Sequence, residues 1–325
     1  MNYSLISPLG GIVIAANLSI TPLFAVVSID YALVGNARNS NDANGFGGVA
    51  YDYKISRNET TISQYAEFLN AVAKTDIYGL YNTSMTEVNI NGISRSGPSG
   101  DYSYSVTPGS GDRPITYVSW FDAARFTNWL HNGQPTGGQT LSTTEDGAYT
   151  LNGAISGIIT RNLAATFWIP SESEWYKAAY YDPTKDGIGG YWLHANQSNI
   201  MNTNSIGMAG AANYFDGDYV GFPGAALTDV GAYGANSESY YGTNDQAGNV
   251  HEWNDAVTGS TRGQRGGSWV NSSGLLPASA SDGSVPTAES SIVGFRVASV
   301  PEPSAVLLTF LAASLSLARR RRSAL

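Results

Sequence analysis

Asp245-Gln-Ala-Gly-Asn-Val-His-Glu-Trp253, followed by Arg265-Gly-Gly-Ser-Trp269 and Gly294-Phe-Arg296, is the part of the sequence on which the fold turns. The first block sets the carboxylates of Asp245 and Glu252 around a glycine and an asparagine. Oxygen donors held on sharp glycine turns suit a hard cation such as calcium. Residues 213–218 have a similar make-up, with Asn213, Asp216 and Asp218. The same residue types also close Asx turns that need no metal, and on residue types alone that is the simpler reading.

Outward from these blocks the periodic segments are short. Residues 28–34 and 47–55 read as strands separated by polar turns. Residues 60–73 carry Ile62, Tyr65, Ala66, Leu69 and Val72 at helical spacing. Ser119 opens a second helix, with Trp120, Ala123, Ala124 and Leu130 at helical spacing and Gly133 as its stop. Ser171-Glu-Ser-Glu174, just after Pro170, is a capping box that starts a third helix through Trp175, Ala178 and Ala179. Residues 78–111 hold no sustained period, and residues 182–248 read as nearly continuous loop. Three short helices among long loops predict an irregular, loop-rich α+β fold in a single domain over residues 28–299. Loops this long need help to stay ordered, and a bound metal ion is one source of it.

Of the 325 residues 42% are hydrophobic, enough for a packed core, but only 13% are charged. Polarity comes instead from Asn, Ser, Thr, Gly and 20 Tyr. That surface suits an extracellular setting and hydrogen bonds to a polysaccharide or peptide ligand; a weakly charged domain with polar loops fits equally well. The net charge of −9 argues against nucleic acid as a partner, because phosphate neutralisation needs clustered Lys and Arg. There is no cysteine. Disulfides, thiolate nucleophiles and Cys-ligated zinc or copper are excluded with it.

Both ends read as sorting signals. Val300-Pro-Glu-Pro303 precedes an apolar run over 305–318 and then Arg319-Arg-Arg-Arg322. A helix of that run spans roughly 21 Å, short of the ~30 Å hydrocarbon core, and snorkelling arginines extend its reach. The arginines place its C-terminal end on the cytoplasmic side; a core helix ending in a solvated charge run is the other reading. Residues 300–325 closely resemble the PEP-CTERM sorting signal of exosortase-dependent bacteria. The resemblance implies an exosortase-type partner, transient membrane anchoring, and release to the cell surface or extracellular matrix. Export then calls for a signal peptide, expected over residues 1–27. The stretch from Leu5 to Val27 is apolar and offers Ala25 for cleavage, although no Lys or Arg precedes it and Pro8 and Pro22 interrupt it.

The three opening blocks resemble the formylglycine-generating enzyme, or sulfatase-modifying factor, family. Glu59-Thr-Thr-Ile-Ser-Gln-Tyr-Ala-Glu-Phe68, Arg113-Pro-Ile-Thr-Tyr-Val-Ser-Trp-Phe-Asp-Ala123 and Ile169-Pro-Ser-Glu-Ser-Glu-Trp175 resemble earlier family segments, in the same order. The resemblance implies an irregular fold related to C-type lectins and bound calcium. One implied calcium site falls on Asp245, the carbonyls of Gly248 and Val250, and Glu252. A second falls on Asn213, the Tyr214 carbonyl and an acidic residue, Asp218 or Asp216. The family's two active-site cysteines, which hold copper, correspond to Asn271 and Leu276 here. Formylglycine formation by that route is therefore ruled out and no copper is expected.

The favoured expectation is an exported, calcium-stabilised binding or structural module. Its ligand residues are expected at Trp269, Asn271, Ser272 and Ser273, in the segment between the second and third blocks, where Trp269 offers a stacking face. The alternative is an oxidoreductase of the same superfamily, including a non-haem iron enzyme using His131, His194 and His251. A hydrolase using Glu172, Glu174 and Glu252 is a third reading.

Overall fold

The computed structural model describes residues 26–200, 203–220 and 226–301. Both sorting-signal segments, apart from their inner ends at Val26, Val27, Val300 and Pro301, lie outside the described residues. Along the chain, β1 (Tyr31–Val34) and β2 (Tyr53–Ser56) lead into α1 (Ile62–Val72) and the pair β3 (Ile93–Ser96) and β4 (Ser103–Val106). Then come α2 (Trp120–His131), β5 (Phe167–Trp168), α3 (Glu172–Tyr180), β6 (Tyr181–Asp182) and β7 (Gly190–Tyr191). The chain closes with β8 (His251–Thr258), β9 (Thr261–Arg265), β10 (Asp282–Ser284), β11 (Val293–Phe295) and β12 (Ala298–Ser299). This is the loop-rich α+β architecture expected from the sequence. No helix among the described residues is long and apolar enough to cross a membrane.

Each helix is started by its own side chains. Capping boxes join Thr61 with Gln64, Ser119 with Asp122, and Ser171 with Glu174; each supplies acceptors for backbone N–H groups that the first turn leaves unpaired. Helix α1 buries the predicted face. Helix α2 is buried from Trp120 to Leu130, including Asp122, Arg125, Thr127 and Asn128, so it runs through the interior and its polar groups need partners there.

Two four-stranded sheets carry most of the order. One runs β1-β2-β12-β5 and the other β10-β9-β8-β11. In the second, β11 lies parallel to β8, with Gly294 opposite Glu252, while Glu252 also faces Arg265 of antiparallel β9. The three blocks that open the sequence reading are thus neighbours across one sheet.

The expected strands shorten: order begins at Tyr31 rather than residue 28, and at Tyr53 rather than residue 47. Residues 78–111 contain the β3–β4 hairpin, which the sequence reading left irregular. Tertiary contacts hold it, not periodicity: Asn70 of α1 brackets Tyr104 by accepting from its N–H (3.0 Å) and donating to its carbonyl (2.8 Å). Tyr104 in turn donates its hydroxyl to the Ala73 carbonyl at 2.7 Å. The main core packs Phe68, Phe126, Trp129 and Phe295 between α1, α2 and β11, and a second cluster gathers Trp175, Tyr176, Tyr180 and Leu276.

Candidate functional site

Where β8 meets β11, Glu252 and Arg296 form a wholly buried ion pair. Arg296 donates Nη2 to Glu252 Oε1 at 2.6 Å and Nε to Oε2. Its remaining donors reach the carbonyls of Ser56 (3.0 Å), Arg57 (3.1 Å) and Asn244 (2.8 Å). The Trp175 indole donates to Glu252 Oε2 at 2.7 Å. A buried pair is tolerable only when its outer donors and acceptors are satisfied as these are, and the bidentate fork fixes its geometry.

Two more carboxyls stand close by. Glu59, buried, accepts from Asn249 Nδ2 at 2.9 Å and from the Val250 N–H at 3.3 Å. Burial first, and then the charges of Asp245 and Glu252, push its carboxyl well above the usual range. Asp245, partly buried, accepts from the Gly231 N–H at 2.6 Å, and burial pushes it up to about 6. Three carboxyls therefore share one buried guanidinium. A cavity of about 10 Å³, the size of one water, is lined by Asp245 with Asn196, Tyr233 and Thr243.

The loop between Asp245 and Glu252 is shaped by left-handed residues at Asp245, Gly248 and Asn249. Gly248 cannot be replaced: a Cβ there would stand on the Asn213 carbonyl, because residues 213 and 248 form a parallel bridge. That carbonyl accepts from the Asn249 N–H at 2.8 Å. The two loops predicted to bind calcium are thus one unit. Within it, Asn213 donates to Asn249 Oδ1 at 3.0 Å and to the Ala226 carbonyl at 3.0 Å. The side chain of Asn204 joins the carbonyls of Tyr214 and Asp218 at 3.2 and 3.0 Å. The Asp218 side chain is exposed and accepts from the N–H of the next residue, Tyr219, at 2.8 Å.

In kind, the carboxyls of Asp245 and Glu252 and the backbone carbonyls of Gly248 and Val250 are the oxygen donors a hard divalent cation takes. Glu252 is already engaged by Arg296 and Trp175, so a cation there would share it. Among the described residues no group of three or more His, Asp or Glu is placed to hold a metal. His131 on α2 pairs with Thr166 Oγ1 at 2.8 Å, His194 lies on a loop, and His251 begins β8.

The unit carries an aromatic face. Trp269 donates its N–H to the Asn249 carbonyl at 2.9 Å, and Phe215 donates its own to the Asn271 carbonyl at 2.8 Å. Between them sits Tyr219, with ring centroids 4.9 Å from Phe215 and 5.5 Å from Trp269. Phe215 and Tyr219 are exposed, as are Ser272 and Ser273 beside them. Asn271 is tied down, accepting from Ser268 Oγ at 2.6 Å. The structure thus gathers Trp269, Asn271, Ser272 and Ser273 next to the loops holding Asn213 and Asp245.

Leu276, the second cysteine-equivalent position, is fully buried in the cluster of Trp175, Tyr176 and Tyr180. It packs so closely on Gly267 that a side chain there would strike it. Glu172 and Glu174 are likewise committed: Glu172 accepts from Asn254 (2.6 Å) and Arg265, and Glu174 from Arg161 (3.1 Å) and Trp168 (3.0 Å).

With this geometry in place, the sulfatase-modifying factor enzyme 1-like domain matches residues 40–300. The chain belongs to that family. Among solved structures, it is similar to CarF at 22% identity, covering 85% of this chain and 100% of CarF with a TM-score of 0.51. It is also similar to Treponema denticola variable protein 1 at 17% identity, covering 86% of this chain and 98% of that one with a TM-score of 0.50. Both likenesses are of fold. No curated protein matches.

Within this sulfatase-modifying factor domain, sequence reasoning named Asp245, Glu252 and Trp269 but missed Glu59 and the rings of Phe215 and Tyr219. It quoted Arg296 as part of a motif without giving it a role. An arginine set between the apolar runs Val293-Gly-Phe295 and Val297-Ala298 was the available signal, since a charge buried there needs a partner.

Proposed function

We propose that the chain is an exported binding module whose ligand surface is the Phe215–Tyr219–Trp269 face with Ser272, Ser273 and Asn271. The observation that carries this reading is the adjoining set of rings, Phe215 and Tyr219 exposed and Trp269 half-buried, beside the exposed Ser272 and Ser273. Aromatic faces cover the C–H surface of a sugar ring while hydroxyl and amide groups meet its oxygens. A cell-surface or matrix polysaccharide is the ligand class this chemistry serves best.

Calcium is part of the same proposal. Asp245, the carbonyls of Gly248 and Val250, and Glu252 would hold one ion, with Asn213, Tyr214 and Asp218 the second set. The charge excess around Glu59, Asp245 and Glu252 supports the first. Calcium would there act on binding through the Asn249 carbonyl, which holds Trp269 in place. The terminal segments would direct export, exosortase-type processing and transient anchoring. Burial of Leu276 among aromatic rings weighs against oxidoreductase chemistry at the family's cysteine positions.

The test is retention of the protein on the producing cell's own exopolysaccharide, with calcium and then with EDTA. Saturable retention that falls with EDTA supports the reading. A folded protein that is not retained under either condition overturns it.

A further inference from the structure

Tyr117 holds a backbone conformation that its side chain makes costly. Its φ is 56°, and among the described residues it is the one aromatic residue in the left-handed region; the other non-glycine positions there are Asn, Asp, Gln and Arg. Asparagine or glycine takes that conformation readily, whereas a bulky side chain does not. The neighbours Ile115, Thr116 and Val118 are buried, but Tyr117 stays partly exposed. Its N–H donates to the Ser290 carbonyl at 2.9 Å. Its hydroxyl donates to Oε2 of the exposed Glu87 at 2.5 Å. Residues kept in such a conformation gather at ligand clamps and active sites, where the surroundings over-determine them.

The ring stands next to the aromatic face already described. Tyr117 and Trp269 both pack against the small apolar cluster of Ile90, Leu227 and Val250. The Trp269 indole donates to the Ser291 carbonyl at 3.3 Å, one residue from the Ser290 carbonyl that Tyr117 bonds. Phe215 thus meets Tyr219, Tyr219 meets Trp269, and Trp269 shares its apolar floor and its bonded segment with Tyr117. Four separate stretches of chain, around residues 87, 117, 215–219 and 269, come to one surface.

We propose that Tyr117 is a further sugar-binding ring, with Glu87 as its polar partner, and that the ligand is a linear glycan taken along its length. The inference rests on the reading of the Phe215–Tyr219–Trp269 face as a polysaccharide surface. A single terminal sugar covers one ring and leaves the others bare. A chain of units brings a C–H face to each ring in turn, while Glu87, Ser272 and Ser273 meet its hydroxyls. Glu87 also holds the Tyr117 hydroxyl and so fixes the ring for stacking.

Retention of the full chain on the producing cell's exopolysaccharide, competed by size-fractionated fragments of the same polymer, tests it. Hexasaccharide fragments should compete at about tenfold lower concentration than disaccharide fragments, a comparison that needs no variant. Tyr117→Asn suits the left-handed backbone and so keeps the turn; it should weaken the hexasaccharide by about tenfold and the disaccharide by less than about twofold. Glu87→Ala, at an exposed position, should weaken the hexasaccharide by about threefold. A ring with only a packing role would leave competition by Tyr117→Asn unchanged. If the wild-type chain is not retained, or Tyr219→Ala has no effect, the surface reading fails and this inference with it. If Tyr219→Ala weakens retention but Tyr117→Asn does not, or if disaccharides compete as well as hexasaccharides, the surface reading stands and the Tyr117 subsite is overturned.

Discussion

Glu252 of β8 and Arg296, the residue that follows β11, meet with no exposure to solvent, and Arg296 links that carboxylate to carbonyls at Ser56, Arg57 and Asn244. Removing either partner strands a buried charge. Arg296→Met should lower unfolding free energy by roughly 3–5 kcal/mol, and pairing it with Glu252→Gln should recover part of that loss. Urea denaturation of both single variants and the double variant measures the coupling; additive losses would contradict it.

Stability should depend on pH in a direction unusual for carboxylates. Asp245 is held at about 6 against an ordinary value of 3.8, and Asp122 and Asp255 at about 7, chiefly by burial. An acid whose folded pKa is raised favours the fold below its unfolded pKa, and that contribution is lost as pH rises through the folded value. In EDTA the domain should therefore lose stability between about pH 4 and pH 7. Asp245→Asn should remove Asp245's share, on the order of 2–3 kcal/mol. Denaturation midpoints across that range decide it.

Calcium should act most strongly where those carboxylates are ionised. Adding it at pH 7 should raise the thermal midpoint more than adding it at pH 5, through ligand linkage to the folded state. Equal shifts at both pH values, or none, would remove calcium from the Asp245 loop.

Gly248→Ala should disrupt the paired loops, because residue 248 combines a φ of 84° with direct contact on the Asn213 carbonyl. A loss of about 1–3 kcal/mol is expected, together with faster proteolysis near residues 213–220. Gly259→Ala, at a turn with open space around it, serves as the comparison.

Tyr219→Ala and Trp269→Ala should reduce polysaccharide retention while leaving the denaturation midpoint within about 0.5 kcal/mol for the exposed Tyr219. Trp269 is half-buried and holds the Ser291 carbonyl, so its variant should also lose some stability.

The parts of the fold written in local chemistry were readable in the sequence. The α3 start was legible because Ser171 and Glu174 cap it reciprocally within four residues, and α1 because its apolar spacing is regular. The β3–β4 hairpin was not, since it depends on Asn70, a residue of another element that bonds both the N–H and the carbonyl of Tyr104. At the site, Asp245, Gly248 and Glu252 were visible as one contiguous block. Glu59 and Arg296 were not assigned roles because their partners lie far along the chain, and Phe215 and Tyr219 became a surface only when residues 213 and 248 met. Burial of polar α2 likewise followed from tertiary packing that no single-helix period encodes.

The two sheets share one ending. β11 and β12 are separated only by Arg296 and Val297, yet β11 completes one sheet and β12 lies between β2 and β5 in the other. Until residues 293–299 arrive, β5 lacks its partner in that sheet, Glu252 lacks its guanidinium, and β8 has an open edge. This short segment is thus the latch of the whole domain. A chain that still lacks residues 293–299 can complete neither sheet, so the domain locks only after that segment has been made.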